Sequence, residues 1–317
     1  MSNRATRLLA EMAVKKAHGD AVRGKLPRTL HTIASAGQLL NLSDLPPEIG
    51  EPIREMLADD SHPYLMLIQE LMRRTDPCYF TGFVVNFLLE SVSEGGQAIR
   101  RHYDATGGRL PWLMGADVST VRADDFAVPA RLGMACFLLF GPDPDAQAVQ
   151  SLCRRFPQAA FFLALPDGRM DAAFLKALGQ APNLFLLPVR RAGAFLSCGL
   201  LRQEKRLYAP LRVLGSEDLP PVLSRGILPA EGNELLPAFL LSGDVSPEAR
   251  AEFLSLLAKL RRHPSAPVFP LCAELEVDGI ARMASGISGG SFTSGGLPAS
   301  LLLPDAALAD RLCALAP

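Results

Sequence analysis

From Pro111 onward, short and nearly continuous apolar runs alternate with helix-like segments, and few folds accept that rhythm. The apolar runs are Trp112–Ala116, Met134–Phe140, Ala159–Leu165, Leu184–Val189, Leu211–Leu214, Leu235–Leu241 and Val268–Leu275. Asp145–Phe156, Asp171–Gln180, Glu217–Ser224 and Ser246–Arg262 lie between them. The last has Pro247 at its first helical position and Arg261, Arg262 and His263 at its end, good start and stop signals. A strand apolar on both faces belongs in a sheet covered on both sides, and a helix after each strand makes that sheet parallel. The expected fold is α/β, a partial, open TIM-like (β/α) barrel over residues 109–317.

Residues 1–108 have a different rhythm and read as an all-helical N-terminal region. In Tyr79–Ser91, Phe80, Phe83, Val84, Phe87 and Leu88 recur at helical spacing and predict one apolar face. Pro46-Pro47 and His62-Pro63 divide the region into short helices, and Gly107-Gly108 closes it.

Composition narrows the function. A net charge of −1, one Trp and four Tyr give neither the field nor the stacking platforms of a nucleic-acid binder. No apolar run reaches membrane-spanning length, and the N-terminus lacks the core of a secretory signal, so a cytoplasmic location is expected. Arg4, Arg7, Lys15, Lys16, Arg23, Lys25 and Arg28 outnumber Glu11 and Asp20, a local basic excess suited to an acidic partner or a membrane surface. A solvated terminal helix is the plainer reading.

The six cysteines are dispersed and read as small buried hydrophobes, with no C-x-x-C pair. The five histidines show no zinc-ligand spacing. The Gly- and Ser-rich stretch from Ser285 to Gly296 fits neither phosphate-loop pattern and reads as a hairpin.

In a (β/α) barrel, function sits where the strands end. The residues expected there are Asp117, Gly141, Asp143, Asp167, Arg190 and Arg191, with Asp244 further along. The carboxylates suit acid–base work, and the arginine pair suits bidentate capture of a carboxylate or phosphate. Ordinary solvated turns are the plainer alternative.

The order of segments resembles a bacterial and archaeal subfamily of the radical S-adenosylmethionine superfamily. The resemblance is carried by Asn86-Phe87-Leu88, Leu110-Pro-Trp-Leu-Met114, Leu132 to Pro144, Phe161 to Asp171, and Asn183 to Ala192. In that family, the first strand exits into a C-x3-C-x2-C loop that ligates a 4Fe–4S cluster. Here Val121 to Arg131 contains no cysteine, and 17 residues separate Ala116 from Met134, a minimal crossover. The family's G-G-E-P turn reads Gly141-Pro142-Asp143-Pro144, where Pro142 removes a backbone donor near the cofactor's methionine end. The acid ending the fourth strand is replaced by Arg190-Arg191, and the positions of the family's C-terminal cysteines fall near Met283 and Ser300, where this chain has none. The resemblance therefore implies a pseudoenzyme without cluster or bound S-adenosylmethionine. It would serve as a partner, scaffold or substrate-binding subunit for an active radical enzyme. A cluster-independent protein binding a small anion at the barrel mouth is the alternative.

Overall fold

The computed structural model describes residues 4–27, 29, 55–225, 234–286, 297–302 and 306–316. Its centre is one curled, open sheet of eight strands. These are β1 (Leu113–Asp117), β2 (Cys136–Phe140), β3 (Ala160–Pro166), β4 (Leu184–Arg190), β5 (Leu211–Leu214), β6 (Ala238–Leu241), β7 (Leu271–Cys272) and β8 (Leu301–Leu302). β1 to β7 lie side by side in chain order and run parallel, while β8 pairs antiparallel with β1. This is the partial (β/α) barrel that the alternating rhythm predicts.

The described helices are α1 (Arg4–Val22), α2 (Pro63–Arg74), α3 (Pro77–Val85), a π-helical stretch (Asn86–Gly95), α4 (Gly96–Thr106), α5 (Ala127–Arg131), α6 (Ala146–Arg155), α7 (Ala172–Leu178), α8 (Cys198–Gln203), α9 (Leu219–Arg225), α10 (Pro247–Arg262), α11 (Ala273–Ser285) and α12 (Ala306–Cys313). Local chemistry starts several of them. Asp145, Asp171 and Ser246 cap α6, α7 and α10 by accepting from Gln147 N, Phe174 N and Ala249 N. Pro63, Pro77 and Pro247 occupy first turns, where no intrahelical donor is lost.

Strand alternation sends side chains to two faces. On the outer face, Phe137 and Phe161 pack with Phe126 of the β1–β2 crossover, with ring centroids 4.9 and 6.0 Å from Phe126. Further along, Phe239 meets Phe253 of α10 at 5.7 Å. The inner face carries Gly115, Leu138, Phe162 and Phe185 in register across β1 to β4. Phe83 of α3 enters this face, 5.2 Å from both Phe162 and Phe185, and Phe87 lies 5.7 Å from Trp112. One buried cluster therefore runs from Ala10, Val14 and Ala17 through Phe83 to Leu163 and Leu186.

The π-helical stretch crosses beneath the N-terminal ends of β1 to β3. Trp112 Nε1 donates to Ser91 O (3.0 Å), Ser91 Oγ to Ala135 O (2.9 Å), and Asn86 Nδ2 to Pro157 O and Ala159 O (both 2.8 Å). Buried Glu90 is answered by Arg7 of α1 at 3.1 Å. The 3.6-residue repeat expected over Tyr79–Ser91 holds as far as Phe87, whose ring stacks on Phe83, and is lost beyond it. After Val85 the turns widen, and the residues buried are Asn86, Leu89, Glu90, Ser91, Val92 and Gly95, while Phe87 and Leu88 are only half-buried.

Two expectations change. The run Val268–Leu275 is strand only at Leu271–Cys272, because α11 starts at Ala273 with Glu274 and Glu276 in its first turn. β8, α8 and α11 were not anticipated. His31, Arg28, Pro46-Pro47 and most of the Gly- and Ser-rich stretch lie outside the described residues. Among the described residues, no helix is long and apolar enough to cross a membrane.

Candidate functional site

The C-terminal ends of the strands carry the expected site residues, but separate local networks hold them. Asp117 ends β1, and its Oδ1 accepts from Ser119 N (2.9 Å) and Ser119 Oγ (2.6 Å), a tight Asx turn. Gly141 follows β2, where a Cβ would lie 2.9 Å from Val118 Cγ2. Val118 N in turn donates to Phe140 O at 2.9 Å, so the exits of β1 and β2 are pressed together and only glycine fits. Exposed Asp143 pairs with Arg169, whose Nε also reaches Pro142 O at 3.4 Å.

Asp167 is the most committed of the group, with 1% of its surface exposed. One carboxylate oxygen accepts from Leu196 N (2.6 Å) and Arg190 Nη1 (3.3 Å). The other accepts from Ser197 N (3.1 Å) and Ser197 Oγ (2.6 Å). This carboxylate ties the β4–α8 loop to the end of β3.

Arg190 is the last residue of β4 and Arg191 opens the bend that follows, and the two side chains meet different groups. Arg190 turns to Asp167, whereas Arg191 acts on the half-buried thiol of Cys313 in α12. Burial pushes that thiol up, and the Arg191 charge opposes the rise. The arginines do not converge on one point. Arg191 is exposed, and its guanidinium makes no hydrogen bond or ion pair among the described residues.

At β5 and β6, Asp244 accepts from Ser242 Oγ, from Ser216 N (3.0 Å) and from Ser216 Oγ (2.9 Å). Those bonds, Ser242 first, hold its carboxyl far below the usual range. Arg250 joins this corner to α11 through Glu274 and donates to Ser242 O at 3.2 Å. Ser216, Ser242 and Arg250 were not singled out from sequence. The matching polar tails after two apolar runs, Gly215-Ser216 and Ser242-Gly243-Asp244, are the signal that was there to use.

α12 lies across the inner face. Leu308 sits so close to β1 that a Cβ on Gly115 would stand 2.6 Å from its Cδ1. Two residues later the helix reaches the β6 exit, where a Cβ on Gly243 would lie 4.0 Å from Asp310 Oδ1. Leu308, Leu312 and Leu315 are buried. A hollow of about 320 Å³ lies outside this region, lined by Val118, Val121, Phe126, Val149, Leu152 and Arg155, and a second of about 460 Å³ lies between α2 and the chain entering β6 and β7. The expected site residues line neither.

Cys136, Cys153, Cys198 and Cys272 are buried and Cys78 is exposed. Burial pushes the Cys153 thiol up to about 12 and that of Cys272 to about 11. An aromatic disulfide reagent on the native protein is therefore expected to modify Cys78 first and Cys313 slowly, and to reach the four buried thiols only after denaturant is added. Rapid native labelling of Cys136 would contradict this packing.

No protein-family model, curated protein or solved structure matches the chain.

Proposed function

We propose that this chain is a non-catalytic, radical-SAM-like half-barrel that works as a protein partner or scaffold for an active radical enzyme. The observation that carries the reading is the position of Leu308 over Gly115. In the resembling family, the cluster and cofactor need the space inside the barrel at the exit of the first strand, and here Leu308 of α12 packs inside the sheet at Gly115, two residues before that exit.

The donor chemistry supports the same reading. At the β1 exit the charged acceptors are Asp117, Asp124 and Asp125, already engaged by Ser119, by Arg155, and by Arg122 N and Ser300 Oγ, and no thiol stands among residues 117–131. These residues do not fit a 4Fe–4S cluster, which needs thiolates. The Gly141-Pro142 turn does not fit the methionine end of S-adenosylmethionine, because Pro142 has no N–H and Gly141 is wedged against Val118. The carboxylates of Asp117, Asp143, Asp167 and Asp244 are each held by a separate local partner, Ser119, Arg169, Ser197 and Ser216.

Titration calorimetry with S-adenosylmethionine is expected to show no saturable heat. Where an intact radical enzyme is encoded beside this chain, adding the chain is expected to change that enzyme's turnover. Saturable cofactor binding, or an unchanged turnover, would count against the proposal.

Arg191 favours a second reading, the binding of a small anion at the mouth, because its guanidinium is exposed and makes no hydrogen bond or ion pair among the described residues. Arg191→Glu would abolish such binding.

A further inference from the structure

Seven large apolar residues stand exposed among the described residues, and four of them are on α1: Leu8 (57%), Leu9 (53%), Met12 (51%) and Val22 (62%). Scattered singly, such residues need no explanation, but a cluster on one helix does. α1 rests on α2 and α3 through a face of small residues, Ala10, Ala13, Val14, Ala17 and Ala21. Leu8 and Met12, four residues apart, form a ridge on the opposite side.

Cations flank this ridge. Arg4, Lys15, Lys16 and, just past the helix, Lys25 are exposed and make no ion pair among the described residues. The acids of α1 are turned inward or engaged. Glu11 pairs with Arg7 at 3.1 Å, and buried Asp20 holds Arg23 and Thr29, both at 2.6 Å. The exposed face of α1 therefore presents an apolar ridge with cations on both sides and no free carboxylate.

We propose that α1 docks this protein on an anionic phospholipid surface. The geometry is that of an interfacial helix: Leu8, Leu9 and Met12 reach the acyl boundary, and the flexible stems of Lys15 and Lys16 bring their ammonium groups to the headgroups. The helix is convex and offers no groove, which suits a planar surface better than a peptide. This inference stands apart from the reading of the barrel, because none of these residues touches the mouth.

Co-sedimentation of the full chain tests it, using vesicles of phosphatidylcholine alone and of equal parts phosphatidylcholine and phosphatidylserine. The protein is expected to sediment with the anionic vesicles and stay in solution with the neutral ones. Lys15→Glu with Lys16→Glu should weaken binding by about 30-fold or more. Leu8→Ser with Met12→Ser should weaken it as well, with the thermal melt unchanged because both sites are exposed. Failure to sediment with anionic vesicles, or equal binding to both kinds, overturns the proposal; the ridge would then suit an acidic protein surface instead.

Discussion

Phe83→Ala is expected to lower the unfolding free energy by about 3–5 kcal/mol, the range for emptying an aromatic site in a packed core. Phe83 is 5% exposed and touches Phe87, Phe162 and Phe185 at centroid distances of 5.7, 5.2 and 5.2 Å. Its ring joins the N-terminal helices to the inner face of β3 and β4. The seam has further polar ties: Asp76 N donates to Lys205 O at 2.9 Å, Tyr64 Oη to Arg261 O at 2.7 Å, and Arg206 stacks 4.4 Å from the Tyr79 ring. Truncation at Phe83 leaves a void against three rings that other side chains already hold in place. Urea melts of the variant, with Tyr103→Ala as an exposed control near zero, measure the effect. A loss below about 1 kcal/mol would mean that the helices do not seal the sheet.

Asp167→Ala is expected to cost about 3 kcal/mol. The substitution strands four donors at once: Leu196 N, Ser197 N, Ser197 Oγ and the Arg190 guanidinium. Ser197 is 4% exposed, so its two donors stay dry, while Leu196 at 72% and Arg190 at 28% regain some water. The β4–α8 loop should loosen, so proteolysis should appear first around residues 191–197. Asp167→Asn keeps one acceptor and the shape, and its loss should be about half as large. If Asp167→Ala were as stable as the wild type, the carboxylate would be freed for another task and the scaffold reading would weaken.

The parallel half-barrel was legible because β1 to β6 are nearly continuous apolar runs separated by helices with readable caps. β7 was overextended, since the apolar residues Leu271, Cys272, Ala273 and Leu275 fit a strand ending and a helix start equally well. The widened turns after Val85 had no local signature. Trp112, Ala135, Pro157 and Ala159 stabilise them through bonds made only once the sheet exists.

At the mouth, short-range chemistry was visible and long-range chemistry was not. Asp117 with Ser119 is an ordinary Asp-x-Ser turn. Asp167 with Ser197, and Leu308 with Gly115, are contacts that only the folded chain brings together. The two adjacent arginines suggested a clamp, yet β4 ends between them and they meet different groups, Asp167 and Cys313.

The most direct measurement is anaerobic reconstitution of the purified protein with iron and sulfide, followed by metal analysis and incubation with S-adenosylmethionine and a strong reductant. Iron and sulfide at background, with no 5′-deoxyadenosine formed, is the predicted result. Bound iron and sulfide in the ratio of a 4Fe–4S cluster, together with cleavage of the cofactor, would contradict a half-barrel filled by its own C-terminal helix.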